Sequence, residues 1–547
     1  MEKHEQGISF RFARSDTIGA PDAESDDGFL NECFVDTGDL AILRDCSNQR
    51  RIVVGRTGAG KSALLKLLAS TAEHVIELQP SNLSLNFLAN SEVLNFFDQA
   101  GANLDPFYQL LWKHVLAVEL LRKKYGITNE SSQRSFFSSL QHIFARDRAK
   151  EQAVRYLEQW GSTFWNETEL RVREVQQKIE ETLVASMATP LLGIEMKADA
   201  ASKLSAEARQ EVISRGARAV SQIQVSALST VLDLLENTVF TDRQESYYVT
   251  IDDLDLQWAV EPLKSKLIRA LIETVRAFRK VHQVKIIVAL RVDLLERVIA
   301  TTRDAGFQSE KYESLYVKLR WTKVQIVELV NRRLECLVKQ RYTSKAVTLQ
   351  DLFPQQMYGE PFSDYLCDRT FLRPRDAIAF VNECLRLAAD KHLVTSKMVS
   401  EAEGAYSEKR RTSLREEWTG VYPSVAEYLE ILARKPNSFP ASELSESVLE
   451  SWAETFLFRH DYPTDPVQIA TRRFFIDGKG SPFEVVLVLL KALYVVGAVG
   501  LKLDAGTPVV WSYEAEHTPA DGAIRPSCVV HVHPTFWRAL GIRPKGR

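Results

Sequence analysis

The stretch RIVVGRTGAGKSALLKLLA, residues Arg51 to Ala69, limits what this chain can fold into more than any other. A β-branched run, Ile52-Val53-Val54, enters a glycine-rich turn, and a leucine-rich helical pattern leaves it. Gly55, Gly60, Lys61 and Ser62 occupy every fixed position of G-x-x-x-x-G-K-[ST], with the strand and helix of a phosphate-binding loop on either side. The glycines let successive backbone N–H groups of Arg56, Thr57, Gly58 and Ala59 point into one concavity. The helix that starts at Lys61, Ser62 and Ala63 adds the positive end of its dipole. Lys61 is expected to reach the β- and γ-phosphates of a nucleotide, and the Ser62 hydroxyl to ligate Mg²⁺.

At 547 residues the chain is too long for one hydrophobic core. A net charge of only −3 gives no global electrostatic case for nucleic acid, so such a partner would need a local patch. The six cysteines are scattered with no C-x-x-C pair, which suits a reducing compartment and argues against a zinc module. Cys336 and Cys384 lie in helical patterns and read as buried structural thiols. The N-terminus lacks a signal-peptide core and no stretch has bilayer length, so the expectation is a cytoplasmic protein with no membrane contact.

Residues 1–30 are polar and read as a flexible leader. Phe34 to Asp45 supplies an approach helix, and His74 to Gln79 a second strand closed by Pro80. Helical patterns follow from Phe87 to Tyr125. From Phe144 to about Asn237 there is almost no strand signal, so a helical insertion is expected at about 126–237. Within it, Glu167 to Leu183 is charged on most faces and reads as a solvated helix.

The second chemical motif is YYVTIDDLD, Tyr247 to Asp255: five strand formers ending in adjacent carboxylates. This suits a buried parallel strand whose C-terminal end faces a nucleotide. Asp252 is expected to hold the Mg²⁺ shell through water, and Asp253 to polarise the attacking water. A third apolar strand, Val284 to Leu290, runs straight into Arg291 and Asp293. Arg291 either senses the γ-phosphate or makes a salt bridge with Asp293 or Glu296. Further on, RPRD starts an amphipathic helix, with Pro374 and Asp376 suited to its first turn. Arg373 and Arg375 are thereby held at a helix start, from which a lid can bring them to a nucleotide.

Helices followed by a strand-like Val509 to Tyr513, a turn and a strand-like Cys528 to His533 suggest a winged-helix-like end. From Val421 to Arg547 there are 13 basic and 14 acidic residues, which argues against a strong phosphate-binding face. Arg472, Arg473 and Lys479 form the one small basic patch read from this segment. The expected fold class is therefore α/β, a P-loop NTPase parallel sheet with helical insertion and lid, plus a C-terminal winged-helix-like α+β domain. Its boundaries are read as a core at 31–320, a helical lid at 321–418 and the terminal domain at 419–547.

Taken together, GRTGAGKSALL, FYQLLWKHVL, YYVTIDDLD, KIIVALRVDLL, LRW, RPRD and HVHPTFWRALGI resemble a bacterial family of P-loop ATPases of the ASCE type. That family lies near the KAP, STAND and origin-recognition-like AAA+ groups. The resemblance implies Lys61, Ser62 and Asp252 at nucleotide and metal, Asp253 as the catalytic residue, and Arg291 at the position called sensor 1. It also implies Arg373 or Arg375 near sensor 2. Two departures stand out: many AAA+ enzymes carry glutamate where Asp253 stands, and many KAP proteins carry membrane helices that are missing here.

The leading expectation is an ATPase, using ATP and Mg²⁺, whose nucleotide state controls homo-oligomer assembly and engagement of a protein partner through the terminal domain. Arg297, Arg303 and Arg320 are candidates to act on a neighbouring copy. Such proteins often serve bacterial stress or anti-phage systems, a role implied by the resemblance. The alternatives are a DNA-acting ATPase, similar to initiators or transposition regulators, and a scaffold that binds ATP without cleaving it. N-K-x-D and L-S-G-G-Q are both missing, which argues against a GTPase and an ABC engine.

Overall fold

Strand β1, Ile52–Gly55, is buried along its whole length because it has hydrogen-bonded neighbours on both sides. The computed structural model describes residues 11–82, 103–127, 235–261, 263–302, 310–342, 346–459, 462–515 and 518–544, with a few isolated positions between 101 and 233. Two compact units divide the chain. One contains Gly38–Gly55 and Leu64–Lys318; the other contains Met1–Thr37, Arg56–Ala63 and Leu319–Arg547.

The first unit is built on a five-stranded sheet in the order β2-β3-β4-β1-β5, with every pairing parallel. Its other strands are β2 (His74–Leu78), β3 (Tyr247–Ile251), β4 (Val284–Arg291) and β5 (Tyr316–Lys318). All of β3 is buried, and so is β4 up to its last residue, Arg291. Continuous apolar runs of this kind are what strands covered on both faces require.

The helix Asp105–Tyr125 covers this core with a row of buried side chains from Phe107 to Leu121. It stops where Gly126 takes φ +66°, and Arg122, Lys123 and Lys124 sit favourably at its negative end. Trp112 donates to the Leu267 carbonyl at 2.8 Å, which locks this helix to Leu263–Ala277. Buried cations pin the opposite end of the sheet. Arg51 donates to the Val284 carbonyl at 3.0 Å, and Lys285 to the carbonyls of Ile42 and Asp45. Those two carbonyls lie at the end of the approach helix, Asp39–Arg44. Burial pushes the Lys285 ammonium down to about 8.

The second unit holds the helices Lys323–Arg341, Phe362–Asp368, Pro374–Leu387 and Ser396–Trp418. Thr322 and Gln325 form a reciprocal capping box at the first of them. The leader expectation is corrected from residue 11 onward. Phe12 and Ile18 are buried in one core with Ile326, Val330 and Leu334, and Asp26 pairs with Arg333 where both are buried. Polar composition hid these anchors because a few buried apolar side chains, together with ion pairs such as Arg341 with Asp16, hold the segment.

Beyond Trp418, the helices Val425–Glu430, Glu446–Arg459, Pro466–Phe475 and Pro482–Val495 share a core with an antiparallel sheet. Its strands are Ser438–Pro440, Val529–Val532 and Val499–Lys502, in that spatial order. The strand read at Val509 to Tyr513 is corrected: there Val510 makes only an isolated bridge to Leu501. The paired strand is Val499–Lys502, which follows the apolar helix Pro482–Val495 and is released from it by Gly497 at φ +85°.

The insertion expected at about 126–237 and the charged helix at Glu167 to Leu183 lie almost wholly outside the described residues. Among the described residues no helix is long and apolar enough to cross a membrane.

Candidate functional site

Gly55 ends β1 and the chain turns through Arg56–Gly60 into the helix Lys61–Thr71. Gly58 and Gly60 have φ of +77° and +96°, the left-handed region that makes glycine necessary here. At Gly58 space is tight as well, since a Cβ would stand 2.6 Å from the Cβ of Arg375. Lys61 folds back to donate to the Arg56 carbonyl at 3.1 Å. The Thr57 hydroxyl is buried and has no hydrogen-bond partner among the described residues. An orphaned hydroxyl inside a loop of this shape suits a polar ligand, because leaving it unmet costs about 1–3 kcal/mol.

Helical elements of the same unit hold the loop through its carbonyls. Arg373 Nη1 donates to Thr57 O at 3.0 Å, the Arg375 N–H to Gly58 O at 3.3 Å, and Trp321 Nε1 to Ala59 O at 2.9 Å. Arg373 also pairs with Asp376 at 2.8 Å and Glu417 at 3.2 Å. Burial opposes its charge, but the two carboxylates outweigh burial and raise the guanidinium above its usual range. Asp376 is fully buried; burial raises its carboxyl, and Arg373 with Arg410 more than reverses this. Arg375 is less committed, with Nε on the Pro21 carbonyl at 3.2 Å.

In the sheet unit, the acidic pair follows directly on β3. The Asp253 N–H donates to Asp252 Oδ1 at 2.9 Å, and Asp253 takes φ +59°. The register Leu78↔Ile251 sets Gln79 beside the pair, and Gln79 Nε2 donates to Asp253 Oδ2 at 3.2 Å. Sequence reading missed Gln79; the signal was a polar residue ending the strand that neighbours the acidic one. Arg291, opposite Gly55 in the β1–β4 register, bonds Asp293 at 2.9 and 3.0 Å and Asp255 at 2.9 Å. The salt-bridge option for Arg291 is therefore real, through Asp293.

Two of the candidates for action on a neighbouring copy, Arg297 and Arg320, are engaged within the chain. Arg297 bonds Glu261, and Arg320 donates to the carbonyls of Glu514 and Ala515. Arg303 lies outside the described residues. His533 is fully buried between Phe371 and Trp511 and bonded to the Tyr513 hydroxyl, a core position.

Residues 324–415 match a family described as the FunZ-associated C-terminal helical domain, which spans the helices from Lys323–Arg341 to Ser396–Trp418. The chain is 21% identical over 544 residues to a putative transposon gamma-delta 80.3 kDa protein of Escherichia coli (strain K12), covering 97% of this chain and 68% of that protein. Among solved structures it is similar to a Walker-type ATPase of Pyrococcus abyssi at 13% identity, covering 90% and 96% of the two chains, with a TM-score of 0.35.

Proposed function

We propose that the chain is an ATP-binding and ATP-hydrolysing switch of the ASCE type. The observation that carries this reading is the glycine-shaped loop, with its orphaned Thr57 hydroxyl, on a strand separated from the acidic strand by β4 alone. A parallel sheet in that order presents the ends of β1, β3 and β4 along one edge, where nucleotide chemistry is done in open α/β sheets.

In this reading the backbone of Arg56–Gly60 cradles the phosphates and Lys61 binds the β- and γ-phosphate oxygens. Ser62 and Asp252 would hold Mg²⁺, which supplies neutralising charge when bound. Asp253 orients a water and accepts its proton as the γ-phosphoryl group leaves the bridging oxygen, giving ADP and phosphate. Arg291, steadied by Asp293 and Asp255, is suited to read the γ-phosphate. Arg373 acts on the loop through the Thr57 carbonyl, while Arg375 is the freer of the two.

Nucleotide state would then control self-assembly and partner engagement through the C-terminal helices and sheet. A place in bacterial stress or anti-phage defence rests on the family resemblance. ATP turnover by wild type, lost by about a hundredfold in Asp253→Asn with binding retained, is the expected result. Equal turnover in both would sink hydrolysis at Asp253, and no ATP binding by wild type would sink the whole reading. Elution at the same volume with and without ATP, for both proteins, would sink the assembly role.

A second reading, action on DNA, is favoured by the transposon-derived name of the E. coli relative and by exposed Arg473 and Lys479 around the helix Pro466–Phe475. It expects salt-dependent duplex binding that weakens when Arg472 and Arg473 are neutralised. Lack of binding at low salt with ATP present would remove it.

A further inference from the structure

We propose that Arg56 is a positioning residue that couples occupancy of the phosphate loop to the seating of the C-terminal helix-and-sheet module. The proposal rests on the nucleotide reading above. Arg56 fills the first variable position of the loop, where the motif asks for no particular side chain. Here its guanidinium is inserted into the C-terminal module. It donates to the Val495 carbonyl and, at 3.1 Å, to the Ser512 hydroxyl. Its Cζ stands 5.7 Å from the ring centre of Phe371, 5.9 Å from that of Trp418 and 6.0 Å from that of Tyr513.

Each of these contacts has a chemical reason. Val495 is the last residue of the helix Pro482–Val495, so the cation meets the negative end of a helix dipole and a helix-end carbonyl that the Ser512 hydroxyl also bonds at 3.3 Å. Three aromatic rings around a guanidinium add cation–π attraction in a partly dry setting. Gly497 makes room, because a Cβ there would stand 2.7 Å from Arg56 Nη1. The same glycine releases the chain from the helix into the strand Val499–Lys502. One position thus ends the helix and admits the arginine.

The backbone of Arg56 is tied to the phosphate-binding residues. Its carbonyl accepts the Lys61 ammonium at 3.1 Å and the Ala59 N–H at 3.1 Å. The next three carbonyls, of Thr57, Gly58 and Ala59, are each held by Arg373, Arg375 and Trp321. With its carbonyls directed at these donors, the loop has one shape to offer a phosphate, and the Arg56 side chain anchors that shape in the module. A phosphate entering the loop and a module closed on Arg56 therefore favour the same conformation. By linkage each strengthens the other.

The test uses the full chain with ATP and Mg²⁺ as the probe. Affinity is measured by calorimetry, and backbone hydrogen exchange is followed at 494–502. In wild type, ATP is expected to slow exchange in that segment. Arg56→Ala is expected to weaken ATP on the order of tenfold, within the range usual for coupled sites, and to abolish the slowing. Arg56→Lys, which keeps the charge without the fork, is expected to recover part of both. Ser512→Ala removes only the hydroxyl's bonds to Arg56 and to the Val495 carbonyl and is expected to fold with a partial loss of ATP-dependent slowing, which keeps the test valid should Arg56→Ala misfold. Wild-type affinity together with wild-type slowing in Arg56→Ala would overturn the coupling while leaving the nucleotide site intact. Failure of wild type to bind ATP would instead overturn the nucleotide site, and the coupling with it.

Discussion

The side-chain amide of Gln79 donates to the Asp253 carboxylate over 3.2 Å, and Asp253 stands at φ +59°, a backbone state uncommon for a residue with a Cβ. The bond from β2's end steadies a carboxylate whose own backbone is unusual. Gln79→Leu is therefore expected to lower kcat for ATP on the order of tenfold, with KM changed by less than about twofold, because orientation is lost while phosphate binding is not. Steady-state phosphate release checks this. An unchanged kcat would mean that Asp253 is oriented by something else.

Gly58 has no room for a side chain. Gly58→Ala combines φ +77° with a contact of 2.6 Å to Arg375 Cβ. A destabilisation of more than about 1 kcal/mol and clearly weakened ATP binding are expected. Gly506→Ala, where a Cβ would meet nothing within 4 Å, serves as the control and is expected to stay within about 0.5 kcal/mol of wild type. Thermal melts with and without ATP compare the two.

The Arg373–Asp376–Arg410 cluster carries charge in a buried place. Asp376→Ala leaves two cations without their shared partner, and removing one member of a buried pair typically costs about 3–5 kcal/mol. Urea denaturation should register a loss of that size. A loss under about 1 kcal/mol would mean that Glu417 alone satisfies Arg373 and that Asp376 adds little.

His533 makes stability depend on pH. Burial pushes its imidazole down to about 3, opposed by Asp376 and reinforced by Arg56, Arg373 and Arg369. Its Nδ1 accepts the Thr535 N–H at 3.2 Å, which fixes the neutral ring. In the unfolded chain the group titrates near 6.5, so between about pH 6.5 and 3 the unfolded state binds the extra proton. The neutral ring's contribution is complete above pH 6.5 and is lost as pH falls through that window. Its slope approaches about 1.4 kcal/mol per pH unit. His114, buried and likewise pushed down to about 3, has the same sign. Stability of wild type minus that of His533→Gln, measured by urea from pH 7.5 to 5, should shrink toward low pH; a constant difference would contradict the shift.

Much of the fold was legible because local rules and tertiary context agree. The β-branched runs at Ile52, Tyr247 and Val284 could be read as buried parallel strands since both faces of such strands need apolar cover. Pro374 and Asp376 announced a helix start for equally local reasons. Val499–Lys502 was not read as a strand because an apolar stretch continuous with a helix has no alternation to betray one; only its pairing with Val529–Val532 distinguishes the two. The anchoring of residues 11–30 went unseen because burial of Phe12 and Ile18 depends on the distant helix Lys323–Arg341.

The candidate site divides along the same line. Sequence alone determined the chemical inventory: a glycine loop with lysine and serine, two carboxylates ending a strand, and arginines at a strand end and a helix start. Backbone sterics and motif spacing are encoded within a few residues, so they need no fold to be read. Tertiary structure alone decided who partners whom. Gln79 on Asp253, Arg373 beneath the Thr57 carbonyl, and Arg56 between three rings join residues far apart in the chain. Such pairings arise from strand register and helix packing, which no single stretch of sequence contains.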